Sequence, residues 1–129
     1  MGPKKLVRAF YNAHVVEDAN VVSRFFHPNL ELTWFSSHGK VVMGFDQLDA
    51  FFKEINKTYY DLRVVLHHLV KEGNTVAVRC TYFARTIENP DEELAISHFN
   101  TFWEVSDGII VKGHMMSQPA SAPDWQPVS

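Results

Sequence analysis

Apolar residues recur at helical spacing over residues 4–16, where Leu6, Val7, Phe10 and Ala13 fall with His14. Pro3 suits the first turn of that helix, because its missing N–H costs nothing there. Glu17-Asp18 breaks the pattern, and Asp18 is a natural N-cap for a second, short helix over residues 19–26. His27-Pro28-Asn29 stops it, since the residue before a proline resists the helical conformation. The period then changes to two. Leu30, Leu32 and Trp34 alternate with Glu31, Thr33 and Phe35, the mark of a strand over residues 30–36. A turn over residues 36–40 leads to a short return strand over 41–43. Asp46 is the candidate N-cap of a third helix, whose apolar stripe is Leu48, Phe51, Phe52 and Ile55.

The second half is strand throughout. Residues 62–71, 75–86, 94–105 and 109–117 each read as one strand. Glu72-Gly73-Asn74 turns the first pair, and the acidic stretch 88–93 connects the second pair as a solvated tip. Ser106-Asp107-Gly108 closes the last hairpin as a three-residue loop, with Gly108 left-handed. Beyond Pro119 the chain is rich in Pro, Ser and Ala, so a single domain over 1–119 and a disordered tail over 120–129 are expected. Three helices and an antiparallel sheet in this order make an α+β layer fold. A curved sheet wrapped around three N-terminal-half helices forms a cone with a pocket at its open end.

Composition narrows the chemistry. A chain of 129 residues buries enough surface to fold without a disulfide or metal. Its single cysteine excludes an internal disulfide and a Cys-rich zinc site, and mid-strand Cys80 reads as a buried, inert thiol. A formal charge of −3 leaves no basic excess for phosphates, so a nucleic-acid partner is not expected. No apolar run is long enough to span a membrane, and no signal segment is visible, so a cytoplasmic protein is expected. Ten Phe, four Tyr and three Trp suit aromatic packing about a core or pocket. No nucleotide-binding glycine loop, hydrolase elbow or metal-binding His motif occurs, so neither cofactor nor metal is expected. His67 and His68 are expected to diverge to opposite faces of their strand.

The order of elements resembles the nuclear-transport-factor-2-like superfamily, which includes ketosteroid isomerases, scytalone dehydratase and SnoaL-like polyketide cyclases. The stretches that carry the likeness are Leu6-Val7-Arg8-Ala9-Phe10-Tyr11, Phe26-His27-Pro28-Asn29-Leu30-Glu31-Leu32, Phe102-Trp103-Glu104 with Asp107-Gly108, and Ser117-Gln118-Pro119. The resemblance implies the cystatin-like cone and a small-molecule pocket. It does not carry the catalytic groups across. The isomerase tyrosine falls at Phe10, with Tyr11 on a different side, and its two aspartates fall at Trp34 and Asn100. The cyclase aspartate falls near Gln118. Trp cannot act as a base, and the Asn and Gln amides cannot take up a proton.

Matching Asn100 to the family's pocket-facing acid puts Ile96, His98, Asn100 and Phe102 of their strand inside. It also places His114, Met116 and Gln118 on the pocket side of the last strand; a one-residue change in the hairpin would exchange Met115 for His114. Val78, Cys80, Tyr82 and Trp34 complete the wall. His98, with Tyr82 or His114, is the expected proton handler, and Trp34, Asn100, Phe10, Met116 and Gln118 are the expected ligand contacts. The opposite face would then expose Phe83, Phe99, Trp103 and Met115, an aromatic surface suited to a homodimer. Three functions stay open: acid–base chemistry on a small apolar or aromatic molecule, binding of such a molecule without catalysis, and protein interaction through the outer surface.

Overall fold

The computed structural model describes residues 2–121 and residue 127. From residue 122 onward, Pro127 apart, the expected tail lies outside the described residues. Helix α1 spans Pro3–Tyr11 and buries Leu6, Val7, Phe10 and Tyr11, two adjacent pairs one turn apart. Helix α2 is only Val21–Phe25, preceded by Asn20 at the N-cap position. Asp18 stands further back, accepts the Asn20 N–H at 2.9 Å and pairs with Arg24 at 2.7 Å. Helix α3 spans Phe45–Thr58 and starts two residues earlier than the Asp46 cap implies. The Gly44 N–H donates to Gln47 Oε1, and Asp46 sits in the first turn, where the helix dipole favours a carboxylate.

The strands are β1 Phe26–Ser36, β2 Gly39–Met43, β3 Tyr59–Glu72, β4 Thr75–Thr86, β5 Leu94–Ser106 and β6 Ile109–Pro119. They form one unclosed, curved sheet in the order β2-β1-β6-β5-β4-β3. The expected α+β cone is therefore present. The sheet is mixed, because β1 and β6 run parallel while every other pair is antiparallel. Register shifts break four of the five ladders, at Phe26/Glu31, Tyr59/Asp61, Leu66/His68, Tyr82/Phe83 and Glu104/Val105. Each extra residue bends its strand and adds twist, which helps the sheet curl around the helices.

The core sits between helices and sheet. Phe10 is its hub, with ring centroids 5.0 Å from both Tyr11 and Phe26 and 6.2 Å from Trp103. The Trp103 Nε1–H donates to the Tyr11 hydroxyl at 2.8 Å, joining β5 to α1 inside the core. Tyr11→Phe would strip that N–H of its acceptor. We expect it to cost about 1–3 kcal/mol, the penalty of an unsatisfied buried donor, read as a lower urea midpoint at unchanged slope.

Two sequence expectations are corrected here. The β5–β6 turn has two residues, Asp107 and Gly108, both left-handed at φ 51° and 76°. Ser106 therefore opposes Ile109, and with Val111 bulged out Asn100 faces Met116 rather than His114. The second correction concerns facing. His98, Asn100, Phe102, His114, Met116 and Gln118 do share a face, as expected, but all six are exposed on the outside of the cone. Phe99, Thr101, Trp103 and Met115 face inward. Burying two large aromatics outweighs burying an imidazole and an amide, since full burial of one large apolar side chain is worth about 1.5–3 kcal/mol. The aromatic surface expected for a dimer is consequently absent at Phe99 and Trp103. Phe83 remains outside, half-buried beneath Arg63, whose guanidinium lies 4.7 Å from the ring centroid.

Candidate functional site

The wide end of the cone holds a cavity of about 300 Å³. Helix α3 supplies one side of it through Leu48, Phe51, Phe52 and Ile55, the stripe read from the sequence. Helix α1 adds Phe10 and Tyr11; β1 adds Phe26, Leu32 and Trp34. Tyr59, Leu62 and Tyr82 come from β3 and β4, and the floor is Ile96, Ser97, Phe99 and Trp103 of β5 with Met115 of β6. Ile96 and Ser97 both reach the cavity because the shift opposite Tyr82/Phe83 interrupts the alternation of β5.

None of these residues carries a carboxylate, imidazole, ammonium or guanidinium. The polar points are phenols, indoles and one serine. Trp34 donates Nε1–H to Ser117 Oγ at 2.8 Å and meets Phe51 edge-on at 5.3 Å, so its ring is fixed as a wall. Tyr11 accepts from Trp103 and keeps its own proton to donate. Thr101 stands beside it, fully buried, with a hydroxyl that makes no hydrogen bond of good geometry. Tyr82 fronts the hollow and is therefore partly exposed, yet its phenol is enclosed by protein.

Burial raises three acidic groups at this end, Tyr11, Cys80 and Tyr82. It pushes the Cys80 thiol up to about 12 and lifts the Tyr11 and Tyr82 phenols above their usual value. These groups stay neutral and donate; they do not serve as bases near neutral pH. The native state thus holds protons that the unfolded chain releases above about pH 9. Stability from this cluster is full below that pH and declines as pH rises toward 12. We expect the urea midpoint to drop between pH 8.5 and 10.5, and Cys80→Ala to flatten the first part of the decline.

Trp34, Tyr82 and Phe10 line the cavity as the sequence reading placed them. His98, His114, Asn100, Met116 and Gln118 lie across the sheet from it, on the outer face, and cannot touch a molecule inside. His98 Nδ1 instead lies 2.9 Å from the Thr81 hydroxyl. The reading missed Tyr11 and Phe99, and of the pair it left open on the last strand, Met115 and not His114 lines the cavity. Tyr11 follows Val7 by four residues and so shares its inward stripe, a signal present in the sequence. His67 and His68 do not diverge. The bulge after Leu66 brings His67 to Thr81, while His68 accepts from Arg79, and both partners lie on the outer face. Among the described residues no group of three or more His, Cys, Asp or Glu is placed to hold a metal ion. No described helix is long and apolar enough to cross a membrane.

The SnoaL-like domain model matches residues 7–113, most of the chain. The chain belongs to the SnoaL-like family. No curated protein matches this SnoaL-like chain in sequence. Solved structures share its fold. IdmH from Streptomyces antibioticus, described as a candidate polyketide cyclase, superposes with TM-score 0.73 at 16% identity over 91% of this chain and 92% of its own. An epoxide hydrolase of the LEH-like type from M. tuberculosis gives 0.68 at 17% identity over 89% and 81%. A protein with a ketosteroid isomerase-like fold from Catenulispora acidiphila, solved with trimethylamine, gives 0.67 at 16% identity over 89% and 85%. At these identities the likeness establishes the cone and not an activity.

Proposed function

We propose that this SnoaL-like protein binds a small, neutral, largely apolar organic molecule in its cavity, and that the cavity supplies no acid–base catalyst. The observation that carries the reading is a hollow of about 300 Å³ walled by aromatic and aliphatic side chains without one ionisable group that titrates near neutral pH. Pockets of this size and lining bind by apolar burial, with a few polar atoms fixing orientation. Here those atoms are the phenols of Tyr11 and Tyr82, which favour a ligand with a neutral acceptor such as a carbonyl oxygen. A carboxylate would be stripped of water with no cation to receive it. Removing His98 and Asn100 from the site removes the basis for imidazole chemistry there, whereas the hollow stands on other residues.

Fluorescence titration with the neutral probe N-phenyl-1-naphthylamine tests this. We expect saturable binding, quenching of Trp34 emission, and no change in affinity for His98→Ala. Absence of saturable binding, or loss of binding with His98→Ala, would overturn the reading.

A second reading concerns the outer sheet face. Phe102 and Met116 are 55% and 62% exposed there, with Phe35 and Val70 on the same side. Soluble monomers rarely expose contiguous apolar patches larger than a few hundred Å², and larger ones mark interaction surfaces. We propose a second copy of this chain as the occupant, since one sheet face can pair with itself about a two-fold axis. Sedimentation velocity at micromolar concentration should show a dimer that Met116→Glu dissociates; a wild-type monomer would end the proposal.

A further inference from the structure

The outer face carries an arrangement that the pocket does not use. Thr81 points outward from β4 yet is only 4% exposed, because two imidazoles cover it. His67 Nε2 lies 2.8 Å from its Oγ1 and His98 Nδ1 lies 2.9 Å from the same atom. One hydroxyl thus ties β3, β4 and β5 together. The tie sits at the bulge after Leu66, where the backbone ladder between β3 and β4 is interrupted. Strand β3 is an edge of the sheet, so among the described residues no strand on its far side compensates for the lost ladder bonds.

We propose that His67, Thr81 and His98 form an acid-released latch on the edge strand. The argument is proton accounting. Thr81 has one proton to give and lone pairs with which to accept. With both imidazoles neutral, one donates N–H to Oγ1 and the other accepts the hydroxyl proton. A first added proton is accommodated, because the hydroxyl still has one unprotonated nitrogen to face. A second leaves two N–H groups aimed at one oxygen, the hydroxyl proton without an acceptor, and two positive charges across a single atom. The neighbours increase that cost. On β4, Arg79 donates Nε–H to His68 Nδ1 at 3.0 Å, which adds a fixed positive charge one pair along and requires His68 to present a bare nitrogen. On β3, Arg63 is held by Glu93, so that carboxylate is already engaged. β5 offers the neutral Asn100 and β6 the neutral Gln118 opposite His98. Among the described residues no carboxylate bonds to either imidazole of the bridge. An imidazole released from the shared hydroxyl into water is free to take up a proton in mild acid. The latch is closed at neutral pH and opens in mild acid, freeing the β3 edge for exchange or for pairing with another strand.

Backbone hydrogen exchange of residues 64–69, expressed as protection factors at pH 7.5 and 5.0, tests the latch in the full chain. Wild type should lose about fivefold protection on acidification, the worth of one hydrogen bond. Thr81→Val should be poorly protected at both pH values, with less than about a twofold difference between them. His98→Asn keeps a neutral hydrogen-bonding group and should keep protection at both. Urea unfolding of each variant at both pH values separates a local opening from global loss. Equal pH dependence in wild type and His98→Asn, or unchanged wild-type protection, would overturn the proposal.

Discussion

Gly113→Ala is expected to be among the most damaging single-methyl changes in this protein, costing about 3 kcal/mol or more, the upper range for overpacking a filled core. Gly113 is buried in β6, directly opposite Trp103 on β5 and Leu32 on β1. A Cβ there would stand 2.6 Å from Trp103 Cε3 and 2.9 Å from Leu32 Cδ1, and closer still to Trp103 Cζ3. None of these can give way cheaply. Trp103 is 1% exposed, touches Phe10 and Phe26 edge-on and is tied by its indole N–H to Tyr11; Leu32 is 1% exposed. The indole lies where other residues would carry a side chain, so the requirement is for absence of volume and not for unusual backbone geometry. Calorimetry should show a fall in Tm of roughly 10 °C for a domain of this length. A fall under 2 °C would mean that β6 shifts freely and that the Trp103 seat is loose.

Filling the hollow should separate binding from stability. Ile55→Trp adds a ring from α3, one turn beyond Phe51, to a cavity of about 300 Å³ that Trp34 and Phe99 also line. We expect binding of N-phenyl-1-naphthylamine to weaken more than 100-fold, about 2.7 kcal/mol, because the probe and the new indole compete for the same volume. Tm should hold or rise, since an empty apolar cavity is a net loss of contacts. Unchanged affinity in a folded Ile55→Trp protein would place the binding site elsewhere.

How much of this was legible in the chain differs by element. The α3 stripe, the strand β4 and the left-handed Gly108 follow directly from period and turn chemistry, and the structure has them at those positions. Within β5, alternation correctly separated Phe99 and Trp103 from His98 and Asn100. The choice of inner face then rested on matching Asn100 to a catalytic acid of related proteins, and that led to the wrong side. Apolar weight alone pointed the other way: Phe99, Trp103 and Val105 with Thr101, against Ile96 and Phe102 with His98 and Asn100. The bulges at Leu66/His68 and Glu104/Val105 leave no comparable mark, because an extra residue in a strand depends on tertiary curvature and not on local preference. His67 and His68 were misread for that reason.

The parallel pairing of β1 with β6 has a consequence for how the chain acquires its shape. Strand β1 is made early in synthesis, but it cannot be flanked on its inner side until the final hairpin has emerged. Until then Leu32 and Trp34 lack the partners that cover them, and the nascent polypeptide carries a sticky, half-built ribbon. A topology so dominated by distant contacts closes its long loops before the pairings repay them, which slows folding relative to a local, helical chain.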